Sequence, residues 1–118
     1  MNYPNYVRAL YDPLRYINYS VLMADTFIAV GAPFTNAIRA IKFNNTTDAN
    51  LIVSYDGITY HDFIVANGAF VFDISSNKAN QGGYLEMPAN GRPYVMLETG
   101  AAATEGNVYV TVIYAAPN

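Results

Sequence analysis

Residues 107–115, NVYVTVIYA, alternate strictly: Val108, Val110, Val112 and Tyr114 fall on one side of an extended chain, Tyr109, Thr111 and Ile113 on the other. Successive side chains of a strand point to opposite faces, so this pattern predicts a strand with one face in a core. The same four residues on a helix would be scattered around its circumference. β-Branched and aromatic residues fill the run, which suits a pleated, half-buried surface.

Shorter versions recur. Residues 37–43 place Ile41 and Phe43 on one face with Arg39, and residues 51–55 do the same for Leu51, Val53 and Tyr55. Residues 21–30 read as an apolar strand ending at Gly31-Ala32-Pro33, residues 84–87 as a short strand stopped by Pro88, and residues 94–98 as another. Residues 61–66 and 69–74 flank Asn67-Gly68. Asn-Gly between apolar runs predicts a hairpin, because both residues tolerate the positive φ of a type I′ turn. Asp56-Gly57 and Asn90-Gly91 predict two more turns, so Gly57, Asn67, Gly68, Asn90 and Gly91 are the expected turn residues. Pro33, Pro88 and Pro93 fall at strand ends, where proline sacrifices no ladder bond. About eight strands with turn signals every ~8–12 residues predict an all-β fold, an antiparallel β-sandwich of jelly-roll or Ig-like type over residues 21–118.

Residues 1–20 have a different texture. Tyr3, Tyr6, Tyr11, Tyr16 and Tyr19 crowd the first 19 residues, and Pro4 and Pro13 interrupt any regular element, so a helix within 6–16 is limited to one or two turns. The expectation is an irregular N-terminal arm. It has two compatible destinations: an edge strand of its own sandwich, or a neighbouring subunit. Tyrosine is enriched at protein interfaces, which makes these five the candidate partner residues.

The chain of 118 residues suits one domain. Hydrophobic residues make up 53% and charged residues 13%, against a usual ~25% charged, which leaves apolar surface for another subunit. The net charge is -3 and the basic residues are scattered, so there is no footprint for a phosphate backbone. With no cysteine there is neither a disulfide framework nor a cysteine-ligated zinc. No run approaches ~20 apolar residues, and the first residues lack the charged and apolar regions of a secretion signal.

Catalytic chemistry finds little to build on. The segment SYDGITYHDF holds the only histidine, His61, with Asp56 placed to meet it across a turn and Asp62 on the other side of the strand. A His–Asp pair without a nucleophile is not a triad, and the expected reading is a hairpin with His61 at its rim. Asp48, Asp56 and Asp62 offer oxygens for calcium but lack the EF-hand spacing, and zinc asks for more than one histidine. Nothing fixes a separation between Glu86 and Glu98 of the kind glycoside cleavage needs. The glycine-rich NQGGY and ETGAAATEGN lack a P-loop lysine. The reading is therefore a non-enzyme with no catalytic, metal or cofactor residues. A carbohydrate-binding module, with Tyr55 and Tyr60 stacking beside Asp56, stays open as a different class.

Residues 40–51 (AIKFNNTTDANL), 54–57 (SYDG), 63–68 (FIVANG), 73–77 (DISSN) and 108–115 (VYVTVIYA) together resemble small virion proteins of tailed bacteriophages. The resemblance spans about residues 37–116 and leaves the first 36 uncovered. It implies a β-sandwich that serves as a structural part of the particle, in the head–tail connector, collar or neck region, with capsid decoration as the alternative. The implied partners are further copies of the chain and other virion proteins (portal, adaptor, tail or capsid), with no membrane and no sequence-specific nucleic acid. The implied location is the virion, after synthesis in the bacterial host cytoplasm. The resemblance carries over no functional residues.

Overall fold

A computed structural model describes residues 7–73 and 91–117, with side chains for 10–73 and 91–114. Nine strands appear among them: β1 (Val7–Tyr11), β2 (Arg15–Asn18), β3 (Ile28–Ala29), β4 (Ile38–Asn45), β5 (Leu51–Ser54), β6 (Asp62–Ile64), β7 (Ala69–Asp73), β8 (Tyr94–Leu97) and β9 (Asn107–Pro117). A single 3-10 turn, Tyr19–Val21, is the one helical element among the described residues. The strands form two antiparallel sheets. The larger has the order β1-β9-β4-β7, with β2 also on β9; the smaller has the order β3-β8-β5-β6.

β1 and β2 are one strand with a bulge. Tyr11 pairs with Ile113 and Arg15 with Val110, so four steps along one chain meet three along the other. The extra residue lies at 12–14, where Pro13 has no ladder bond to lose. Counted so, there are eight strands, and their pairings nest: β1/β2 with β9, β3 with β8, β4 with β7, β5 with β6. The cross-pairings β4–β9 and β5–β8 roll this long hairpin into two facing sheets. Nested pairing of eight antiparallel strands across two sheets is a jelly roll.

The core lies between the sheets. Val108, Val110, Val112 and Tyr114 of β9 face Leu51 and Val53 of β5 and Val95 and Leu97 of β8, and all are buried. β4 adds Ile38, Ile41 and Phe43. Ile38 and Ile41 would face opposite ways on a regular strand. A register shift between Ile38 and Ala40 turns both inward. The shift falls at Arg39, which is itself buried.

Three expectations are corrected. Residues 7–18 are not irregular; they run the length of β9 as an edge strand, because β9 offers a continuous row of ladder partners and the bulge absorbs Pro13. Residues 21–30 are mostly loop, with only Ile28–Ala29 in a sheet. Asn67-Gly68 does not close a hairpin. β6 pairs in the smaller sheet and β7 in the larger, because Ile64 and Phe70 line the same core from opposite walls. The turn at 65–68 carries the chain between layers, with Asn67 alone at positive φ (57°) and Gly68 N–H donating to Val65 O at 3.0 Å. The strand expected at 84–87, and Asn90, lie outside the described residues.

Candidate interaction surface

The segment SYDGITYHDF is a hairpin, as its turn signal predicts: Leu51, Ile52 and Val53 pair with Ile64, Phe63 and Asp62. Its loop, residues 55–61, is tightly bonded. Ser54 is fully buried, and its hydroxyl donates to Asp56 Oδ1 at 2.8 Å while accepting from the N–H groups of Asp56 and Gly57. That uses the whole capacity of one hydroxyl. Asp56 Oδ1 also accepts from Ile58 N at 2.8 Å and Thr59 N at 2.7 Å. These bonds, the Thr59 amide foremost, hold the Asp56 carboxyl well below the usual carboxylate range. His61 Nδ1 accepts the Tyr55 N–H at 2.9 Å, and the His61 backbone N–H donates to Val53 O. Asp56 and His61 thus each serve the loop's own backbone.

The other acids are placed apart. Asp48 takes the hydroxyl and the amide of Thr104 in the loop before β9, which lowers its pKa, the hydroxyl contributing most. Asp62 accepts from the Phe63 amide. Glu98 accepts from Asn50 at 3.4 Å, and Glu86 lies outside the described residues. Among the described residues no three acids or histidines converge in a way that would hold a metal ion.

The loop folds over the outer face of the smaller sheet. Gly57, at φ +81°, sits on the Tyr94 ring, where an added Cβ would come within 3.1 Å of Cζ. Tyr60 meets Phe27, next to β3, edge-on with 5.8 Å between centroids. Tyr55 points inward, against Phe43. Its hydroxyl is buried without a hydrogen-bond partner among the described residues, and burial, with the Asp62 charge as a second cause, pushes its pKa up to about 12. Tyr55 and Tyr60 therefore do not share a stacking face for a sugar.

The outer face of the larger sheet is open by comparison. Pairing sets its rows: Tyr11, Ile113, Ala40 and Asp73 in one, Thr111, Lys42 and Val71 in the next, Tyr16, Tyr109, Asn44 and Ala69 in the third. Tyr11 is 75% exposed, Tyr16 64% and Val71 60%. Tyr16 tilts against Tyr109 at 6.2 Å, and Asn107 Nδ2 donates to the Tyr109 hydroxyl at 2.9 Å. Between the rows, Ala40, Ile41, Lys42, Val71, Thr111 and Ile113 line a depression of about 220 Å³. It exists because Ala40 is small among larger neighbours.

Of the five candidate tyrosines, then, Tyr11 and Tyr16 lie exposed on this face. Tyr19 is half-buried and packs against the core, and Tyr3 and Tyr6 lie outside the described residues. Alternation gave no sign of the residue that locks this edge in place, Arg15. Its side chain is buried: Nε meets Asp12 at 3.0 Å, Nη1 donates to the carbonyls of Val30 and Ala32, Nη2 donates to the Tyr114 hydroxyl, and the guanidinium lies 4.9 Å from the Phe34 ring centroid. It ties β2 to the end of β3 and to β9. Its only signal in the sequence is a lone arginine at an inward position of the bulged strand. Comparison with protein-family models, curated proteins and solved structures gave no match.

Proposed function

We propose that this chain is a non-enzymatic structural protein of a tailed-bacteriophage particle, assembling through protein–protein contacts in the head–tail connector, collar or neck region. The observation that carries the reading is the contrast between the two outer faces. The 55–61 loop covers Tyr94 and meets Phe27 on the smaller sheet, whereas the larger presents Tyr11, Tyr16, Tyr109, Val71 and Ile113. Exposed tyrosines suit a surface that is wet before assembly and dry after it. A jelly roll by itself selects no function, since capsid and lectin domains both use it. The phage assignment rests on the resemblance over residues 37–116.

The test is composition of purified particles. The protein should be present at fixed stoichiometry, and a chain with Tyr11→Glu and Tyr16→Glu should fold but be depleted from particles. Absence of the wild-type chain from particles defeats the reading. Normal incorporation of the double variant removes this sheet face from it.

A further inference from the structure

We infer that a second copy of this chain docks on the larger sheet by inserting its Ile58 into the depression floored by Ala40, an inference that rests on the assembly reading above.

Ile58 is 81% exposed at the tip of the 55–61 loop. Exposure of one isoleucine is ordinary, but this one stands on a loop fixed by Asp56, Ser54 and His61, each bonded to loop backbone. An apolar side chain on a preorganised loop loses little conformational freedom on docking. The depression supplies a matching recess. Its volume of about 220 Å³ equals some seven waters at ~30 Å³ each, room for one branched aliphatic side chain and part of its backbone. Its walls are the methyl groups of Ala40, Val71, Thr111 and Ile113 and the stem of Lys42.

Charge agrees with the fit. Asp56, two residues from the Ile58 tip, is exposed, and Lys42 stands exposed on the rim of the recess. Asp73, the ladder partner of Ala40 beside the recess, is engaged within its own chain. Docking would bring the Asp56 carboxylate toward the Lys42 ammonium, which favours encounter and register. Tyr11 and Tyr16 flank the recess and add contact area toward the ~800 Å² per partner of a stable interface.

Orientation sets the type of assembly. The knob lies on the smaller sheet's side of the sandwich and the recess on the larger sheet's outer face. One patch cannot hold both, so a two-fold dimer is not the product. The contact is heterologous, each copy giving its knob to the next, and such contacts close into rings or run on as filaments.

Sedimentation velocity of the full-length chain over about a hundredfold range of concentration tests this. Wild type should self-associate. Ile58→Asp and Val71→Asp should each weaken association about tenfold or more, and Lys42→Glu, at an exposed position away from the core, should weaken it as well. Far-UV spectra should stay unchanged for all three. The decisive mixture is Ile58→Asp with Val71→Asp: one functional knob and one functional recess remain, so a 1:1 dimer should form and grow no further. A monomeric wild type, variants that associate like wild type, or a mixture that stays monomeric overturns the knob-and-recess contact. Particles that contain the wild-type chain alongside any of these results leave the assembly reading standing.

Discussion

Arg15 lies directly over Gly31: a Cβ at Gly31 would stand 2.9 Å from both Cδ and Nη1 of the arginine. Gly31 also holds φ +86°, where a side chain is strained whatever the space. The two residues make one joint between the larger sheet and the end of β3. Gly31→Ala should cost about 2–3 kcal/mol, combining strain with displacement of the guanidinium. Arg15→Met should cost about 2–4 kcal/mol, because it leaves Asp12, two carbonyls and the Tyr114 hydroxyl short of a donor. Urea unfolding measures both; a loss under ~0.5 kcal/mol in either would show that the joint contributes little.

Gly106 and Gly100 offer a controlled comparison. Both have positive φ, +93° and +84°. A Cβ at Gly106 would overlap the Thr46 carbonyl oxygen, and backbone cannot swing aside; a Cβ at Gly100 meets nothing within 4 Å among the described residues. Gly100→Ala should cost only the left-handed penalty, about 1 kcal/mol. Gly106→Ala should cost at least about 3 kcal/mol, since it also pushes apart the β4–β5 connection and the start of β9. Equal melting temperatures for the two variants would contradict the close approach.

Tyr55 makes stability depend on alkaline pH. Its folded pKa is raised from 10.0 to about 12, so the folded chain holds the proton more tightly than the unfolded one. The stability linked to that proton is fully present below pH 10 and is lost as pH rises from about 10 to 12. With partial solvent screening the loss is on the order of 1–2 kcal/mol. Tyr55→Phe should abolish this component. At neutral pH it should be neutral or stabilising by up to about 1 kcal/mol, because the hydroxyl it removes has no partner among the described residues. A variant whose melting temperature falls between pH 10 and 12 as steeply as wild type would place the alkaline loss elsewhere.

Deleting residues 1–19 should lower the melting temperature of the chain even when it is monomeric. The deletion removes the edge strand that pairs with β9 from Asn107 to Pro117 and, with Arg15, the joint to Gly31. Scanning calorimetry of the truncated chain at low concentration gives the answer. An unchanged melting temperature would mean that the ladder along β9 adds nothing to the fold.

The sequence by itself determined the fold class, most of the strands and the turn chemistry of the first hairpin. Val108 to Tyr114 and Leu51 to Tyr55 could be assigned inward faces because strand periodicity is local: each side chain's face follows from its neighbour's. Asp56-Gly57 was legible for the same reason, since a turn needs only residues within reach of one another. Which strands pair is a different matter. Asn67-Gly68 carries the local signature of a hairpin, yet its flanking strands part company, because Ile64 and Phe70 gain more by lining the core from opposite walls than by facing each other. Residues 7–18 looked irregular because Pro13 breaks a local pattern, and only the free edge of β9 made a strand of them. Arg15, Gly31, Gly106 and the recess over Ala40 were invisible for a common reason. Each depends on atoms brought together from distant parts of the chain, and only the packed tertiary structure sets those distances.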